Sequence, residues 1–89
     1  MRAVITVIGE DRVGIISGVS TILSRANVNI LDITQTTLQE LFTMIMLVDI
    51  SKSSISFEQL SVDLAAKGDE LGLNIRIQHE NIFKSMHEI

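Results

Sequence analysis

GEDRVGIISGV, residues 9–19, sets three glycines, two acids and an arginine directly ahead of a helical repeat. What precedes it, Ala3 to Ile8, is an unbroken apolar, β-branched run, the pattern of a strand buried on both faces. From Gly14 onward the period changes. Ile15, Ile16, Val19, Ile22, Leu23 and Ala26 recur at the spacing of an amphipathic helix's apolar stripe, while Ser17, Ser20, Thr21, Ser24 and Arg25 fall mostly off it. Asn27 suits the end of that helix, because asparagine tolerates left-handed backbone. Residues 9–19 are thus a strand-to-helix turn, and its meaning depends on the scaffold around it.

The rest of the chain supplies that scaffold. Asn29–Leu38 is rich in β-branched residues with polar groups at Asp32, Thr34 and Gln35, a strand with one wetter face. Leu41–Ile50 is a second strand, apolar on both faces, joined to the first by Gln39-Glu40, a hairpin without the usual Asn-Gly signal. After the polar break at residues 52–56, Ser56 as N-cap and Glu58 in the first turn open a second helix. Phe57, Leu60, Leu64 and Leu71 form its stripe with support from Ala65; Gly68 lies inside it and Gly72 fits its stop. Asn74–His79 alternates as a half-exposed strand does. Ile82, Phe83, Met86 and Ile89 cluster in a short amphipathic tail, which must pack on something because so short a helix is marginal alone.

The order β-α-β-β-α-β predicts an α+β fold, the ferredoxin-like sandwich: a four-stranded antiparallel sheet with two helices on one face, plus a short C-terminal helix. One domain over residues 1–89 is expected, with a core at 1–79 and a helical tail at 80–89. The other sheet face is left bare. Since the first and third strands are apolar on both sides, the tail or a second subunit is expected to cover it.

Composition narrows the function classes. The chain is 46% hydrophobic over 89 residues, with a mean hydropathy of +0.38, more apolar surface than so small a domain can hide, which points to a homodimer. No apolar run reaches the roughly 20 residues a membrane helix needs, and the N-terminus lacks the long apolar core of a signal peptide, so a cytoplasmic protein is expected. Without cysteine there is no disulfide framework and no thiolate metal site. A net charge of −4, scattered basic residues, three Phe and no Tyr or Trp argue against nucleic acid. No cofactor motif is present.

For the turn itself, a phosphate loop would need a lysine and a hydroxyl after Gly14, where Ile15 and Ile16 stand, and Glu10 and Asp11 would repel a phosphate. The first amides of the helix opened by Gly14, Ile15 and Ile16 lack internal partners and carry the positive end of the helix dipole, so they suit a small anion such as a carboxylate. Asp11 beside them can accept from an ammonium group. Donors for a carboxylate next to an acceptor for an ammonium suit a free amino acid. The simpler alternative is that Asp11 caps the helix and Gly14 only turns the chain.

D-R-V-G-I-I followed by A-N-V-N-I-L-D-I, residues 11–16 and 26–33, resembles the ACT domain, a small-molecule-sensing module of amino-acid metabolism, and the likeness spans residues 1 to about 79. Val13 stands where proline is common in that family and Asn27 where glycine is common. With no enzyme attached, the chain is similar to the stand-alone bacterial ACT proteins related to the glycine-cleavage repressor. The resemblance implies an amino acid bound at a seam between paired modules, in a regulatory module that a protein partner reads. It nominates Glu10, Asp11, Arg12, Val13, Gly14 and Ile15 from one chain, and Asn29, Ile30 and Leu31 from the other.

Two other readings stay open. Acylphosphatases share this fold and use an arginine in this loop, so Arg12 invites a hydrolase reading, against which Ile15, Ile16 and Ser17 stand where those enzymes carry an aromatic-plus-arginine segment. A pure dimerisation scaffold without ligand is the third. His79-Glu80 and His87-Glu88 offer no tight metal-ligand pair, and solvated polar ends are the simpler account.

Overall fold

The structure, a computed structural model, describes residues 1–87. Its elements are β1 (Arg2–Glu10), α1 (Ile15–Arg25), β2 (Asn29–Leu38), β3 (Leu41–Asp49), α2 (Phe57–Leu71), β4 (Leu73–His79) and α3 (Glu80–His87). All pairings are antiparallel and the strand order is β2-β3-β1-β4, the ferredoxin-like arrangement the sequence predicts.

The register sorts side chains to the two faces, because residues directly opposite in a sheet share a face. Ile5, Val7, Met44, Met46 and Val48 point to the helix side and are fully buried under Val19 and Leu23 of α1 and Leu60 and Leu64 of α2. Both helix ends obey local chemistry. Asn27 takes a φ of 58° just after α1, and its N–H donates to Ser24 O at 3.1 Å. Ser56 Oγ accepts from Gln59 N at 3.0 Å, and Gly72 ends α2 at φ 72°. Gln39 opens the β2–β3 hairpin at φ 55°, doing with a left-handed residue what Asn-Gly does elsewhere.

Three expectations need correction. Ala65 is exposed rather than part of the buried stripe, and Gly68 takes that place. At Gly68, α2 lies so close to β4 that an added Cβ would sit 2.7 Å from the Leu73 carbonyl oxygen. Secondly, β2 is wet on both faces, since it is an edge strand on which only Ile30 is half-buried. A bulge between Ile30 and Asp32 lets Ile30 face the helix side opposite Val48 while Asp32 faces outward opposite Leu47. Thirdly, the tail covers only part of the outer face.

That face carries Val4, Thr6, Ile8, Thr43, Ile45 and Leu47 across the two central strands. α3 packs on β1 and β4, at the end where Val4 is 6% exposed. It is held by a paired contact between the Arg2 guanidinium and the Glu80 carboxylate. Gln78 Nε2 lies 3.2 Å from Met86 Sδ. Ile8, Leu41 and Ile45 remain 40–50% exposed. Of the expected tail cluster, Ile82 and Met86 are more than half exposed; Ile89 lies outside the described residues.

Two glycines inside helices should respond oppositely to alanine. At Gly18 the new Cβ meets the side chains of Lys67 at 3.4 Å and Leu71 at 3.5 Å, both in ordinary contact, so Gly18→Ala should gain about 0.5–1 kcal/mol through helix propensity. Gly68→Ala should lose about 1–3 kcal/mol by overpacking against β4. Urea midpoints at constant slope measure both.

The hydrogen bond and charge of Arg2 hold the Glu80 carboxyl below the usual glutamate range. A depressed carboxyl contributes its stability above the unfolded glutamate value of about 4.3 and loses it as pH falls through the folded one. Acidification from pH 6 towards 3 should therefore loosen α3 before the sheet, read as an earlier change at the Met86 methyl resonance than at Met44 or Met46.

Candidate functional site

The turn after β1 is built as an open helix start. Glu10 ends β1 opposite Leu41 and is exposed. The Asp11 N–H donates to Glu40 O at 2.9 Å, tying the turn to the β2–β3 hairpin. Arg12 Nη1 donates to Leu71 O at 3.1 Å, so this arginine satisfies a carbonyl at the end of α2. Val13 is 96% exposed, an apolar side chain standing in solvent. Gly14 occupies the N-cap at φ 96°, a left-handed conformation that disfavours a side chain.

No side chain caps α1. The first backbone bond of the helix runs from Gly18 N to Gly14 O at 2.9 Å, so the amides of Ile15, Ile16 and Ser17 precede the ladder and face outward. Asp11, the natural capping candidate, makes no side-chain hydrogen bond to the described residues; its carboxylate is free beside the open amides. A depression of about 400 Å³ follows, lined by Asp11, Arg12, Gly14, Ile15, Ser17 and Phe42.

Asn29, Ile30 and Leu31 sit elsewhere. Asn29 is opposite Asp49, and Asp49 is opposite Arg2, the first residue of β1. The turn lies past the other end of that strand, about 26 Å away at roughly 3.3 Å per residue. Within one chain the two halves of the nominated site do not meet. Leu31 is 44% exposed at the bulge, and Asn29 is exposed at the mouth of a second, larger cleft.

That cleft, about 670 Å³, lies between the C-terminal half of α1, the start of β2 and the loop after β3. Its polar lining is Ser20, Ser24, Asn27, Asn29, Asp49, Ser51 and Lys52 over the buried Leu23 and Val28. Sequence reading missed it. Ser20 and Ser24 stand four apart off the apolar stripe, a visible signal, but nothing local shows that Lys52 is their neighbour. The Asp49 carboxyl is held below its usual range, first by the Ser51 backbone N–H at 2.9 Å, with the Met1 ammonium 3.6 Å away. Lys52 gives its carbonyl to Asn27 Nδ2 at 3.0 Å, and its ammonium pairs with no acid among the described residues.

The late polar pairs serve structure where they are described. His79 stacks on Phe57 with ring centroids 4.1 Å apart, and Glu80 is held by Arg2. Among the described residues no three His, Asp or Glu stand together as metal ligands, and no helix is long and apolar enough to cross a membrane.

The fold is a ferredoxin-like sandwich whose first helix starts from a left-handed glycine without a side-chain cap among the described residues. The chain belongs to the ACT domain family, whose model matches residues 2–78. A UPF0237 protein of Clostridium acetobutylicum is 56% identical over 89 residues, the whole of both chains. The solved structure of an ACT domain protein from Streptococcus pneumoniae is 42% identical, covers 94% of each chain and superposes with a TM-score of 0.80. The regulatory subunit of aspartate kinase from Thermus thermophilus shares the fold, with a TM-score of 0.67 at 20% identity over 86% of this chain and 50% of that one. ACT domains are in general small-molecule-binding regulatory modules and often dimerise.

Gly14→Ala isolates the backbone requirement of the turn, because an added Cβ there meets nothing within 4 Å. The left-handed φ alone should cost about 1–2 kcal/mol, lowering Tm by roughly 4–8 °C per kcal/mol in a domain of this size. Thermal unfolding followed by circular dichroism checks it.

Proposed function

We propose that this chain is a regulatory module that binds a free amino acid between two copies of itself. The observation that carries the reading is the open amides of Ile15, Ile16 and Ser17 beside the unpartnered Asp11 carboxylate. The amides hold the ligand's carboxylate and Asp11 its ammonium, two complementary groups a few ångströms apart as in any α-amino acid.

The second half of the site comes from a partner. β2 is a ten-residue edge strand without proline, lysine or arginine, and Leu31, Ile33 and Leu38 are exposed along it. Such an edge invites pairing. If two β2 strands pair antiparallel across a two-fold axis, Asn29 of one protomer lies beside the Leu38 end of the other. Leu38 is opposite Leu41, and Leu41 opposite Glu10. Asn29, Ile30 and Leu31 thereby approach the partner's turn from Glu10 through Arg12 and Val13 to Ile15. Asn29 adds a donor and an acceptor, and exposed Val13 gains cover. The ligand contacts both subunits, so its binding favours the paired state by its differential affinity, and a protein partner reads that state. Coupling of about 1–3 kcal/mol is enough for sensing without chemistry.

A thermal-shift screen against the twenty amino acids, with sedimentation of the same samples, tests the reading. At least one amino acid should raise Tm and favour the dimer. Asp11→Ala and Asn29→Ala should each weaken that ligand roughly tenfold or more while leaving the unliganded fold intact. A chain that stays monomeric at high concentration, or a Tm indifferent to every amino acid, would leave the scaffold reading in its place.

A further inference from the structure

We infer that the cleft beside Asn29 receives the ligand's side chain and selects an amino acid that ends in a second carboxylate, an inference that rests on the shared-site reading above. The turn supplies partners for the α-carboxylate and α-ammonium, groups every amino acid has, and so discriminates nothing by itself. Selection must come from wherever the side chain goes.

The topology directs it. α1 packs on the β2 side of the sheet, and Ile30 points to the same helix side. With β2 paired antiparallel to its partner, the two α1 helices flank the seam head to tail. The open first turn of one then abuts the last two turns of the other, where Ser20 and Ser24 stand. The 670 Å³ cleft lies there, and in this pairing the partner walls its free side.

Its chemistry favours an anion. Thr21 and Ser17 spend their hydroxyls on backbone carbonyls of their own helix, whereas Ser20 and Ser24 make no hydrogen bond with theirs among the described residues and remain available as donors. Asp49, the acid lining the cleft, is matched by the Ser51 N–H and the Met1 ammonium. Lys52 also lines the cleft, and its ammonium makes no ion pair among the described residues. A basic side chain would meet Lys52 with an acid already committed elsewhere. An aliphatic one would strip water from Lys52, Asn29 and the two serines without replacing its hydrogen bonds. A carboxylate answers all of them, above an apolar floor of Leu23 and Val28 that strengthens the attraction.

Calorimetric titration of the intact chain at dimeric concentration, with L-glutamate, L-aspartate, L-glutamine, L-asparagine and L-leucine as probes, tests this. One of the two acids should bind at least roughly tenfold more tightly than its own amide and than leucine, the size expected of one charge-assisted contact. Lys52→Met, a substitution at an exposed position whose carbonyl bond to Asn27 survives, should bring the acid's affinity down to within about twofold of its amide's. Ser24→Ala should weaken acid and amide alike. Equal affinity for acids, amides and leucine, or a preference for the acid that outlives Lys52→Met, overturns the assignment while leaving amino-acid sensing intact. Failure of all five probes to bind, together with silence of the other fifteen in the thermal screen, overturns both.

Discussion

The β1–β3 pair carries apolar side chains on both faces, and the two long helices can lie on only one of them. Most of the architecture follows from that imbalance. On the helix side, Ile5, Val7, Met44, Met46 and Val48 reach full burial under two amphipathic helices. On the outer side, Thr6, Ile8, Ile45 and Leu47 have only α3, and α3 reaches only the end that Val4 occupies. The hydrophobic content of so short a chain is thus distributed by the alternation of a strand, and the surplus falls on one outer face and one open edge.

The turn after β1 obeys a different constraint. A helix start ordinarily satisfies its first amides with its own Ser, Thr, Asp or Asn. Here the N-cap is a glycine in left-handed backbone, and the acid three positions earlier stays off the amides because its own N–H is drawn to the hairpin. The contrast with α2 is local and direct. Ser56 closes α2 at once, on a helix start that lines neither cleft. The same chain builds one finished helix start and one unfinished one, and the unfinished one lies in the depression.

Much of the fold was legible because its signals are short-range. The shift from alternation to helical period at Gly14, the Asn27 stop, the Ser56 cap and the Gly72 terminus each act within a turn or two of chain. What escaped depends on distant partners. Ala65 and Gly68 are three apart on one helix, and only the closeness of β4 decides which is buried. That Arg12 also reaches the carbonyl at the end of α2, 59 residues away in sequence, is visible only once the fold brings the two together. The polarity of β2 hinted at one wet face, but an edge position, which no local pattern encodes, wets both. The open helix start of the candidate site is foreshadowed by loop composition, while the large cleft needed Ser20, Ser24 and Lys52 brought together by the β3–α2 loop.

The bond from the Asp11 amide to the Glu40 carbonyl has a mechanical meaning. Many ACT turns are stiffened by proline at the place Val13 occupies. This chain borrows its rigidity instead from the hairpin at the far end of its own edge strand. Anything that steadies that edge also steadies the turn, and anything that lets the hairpin fray slackens it. Rigidity here is a property of the sheet's rim, lent inward, so the shape of the turn follows the state of the strand edge.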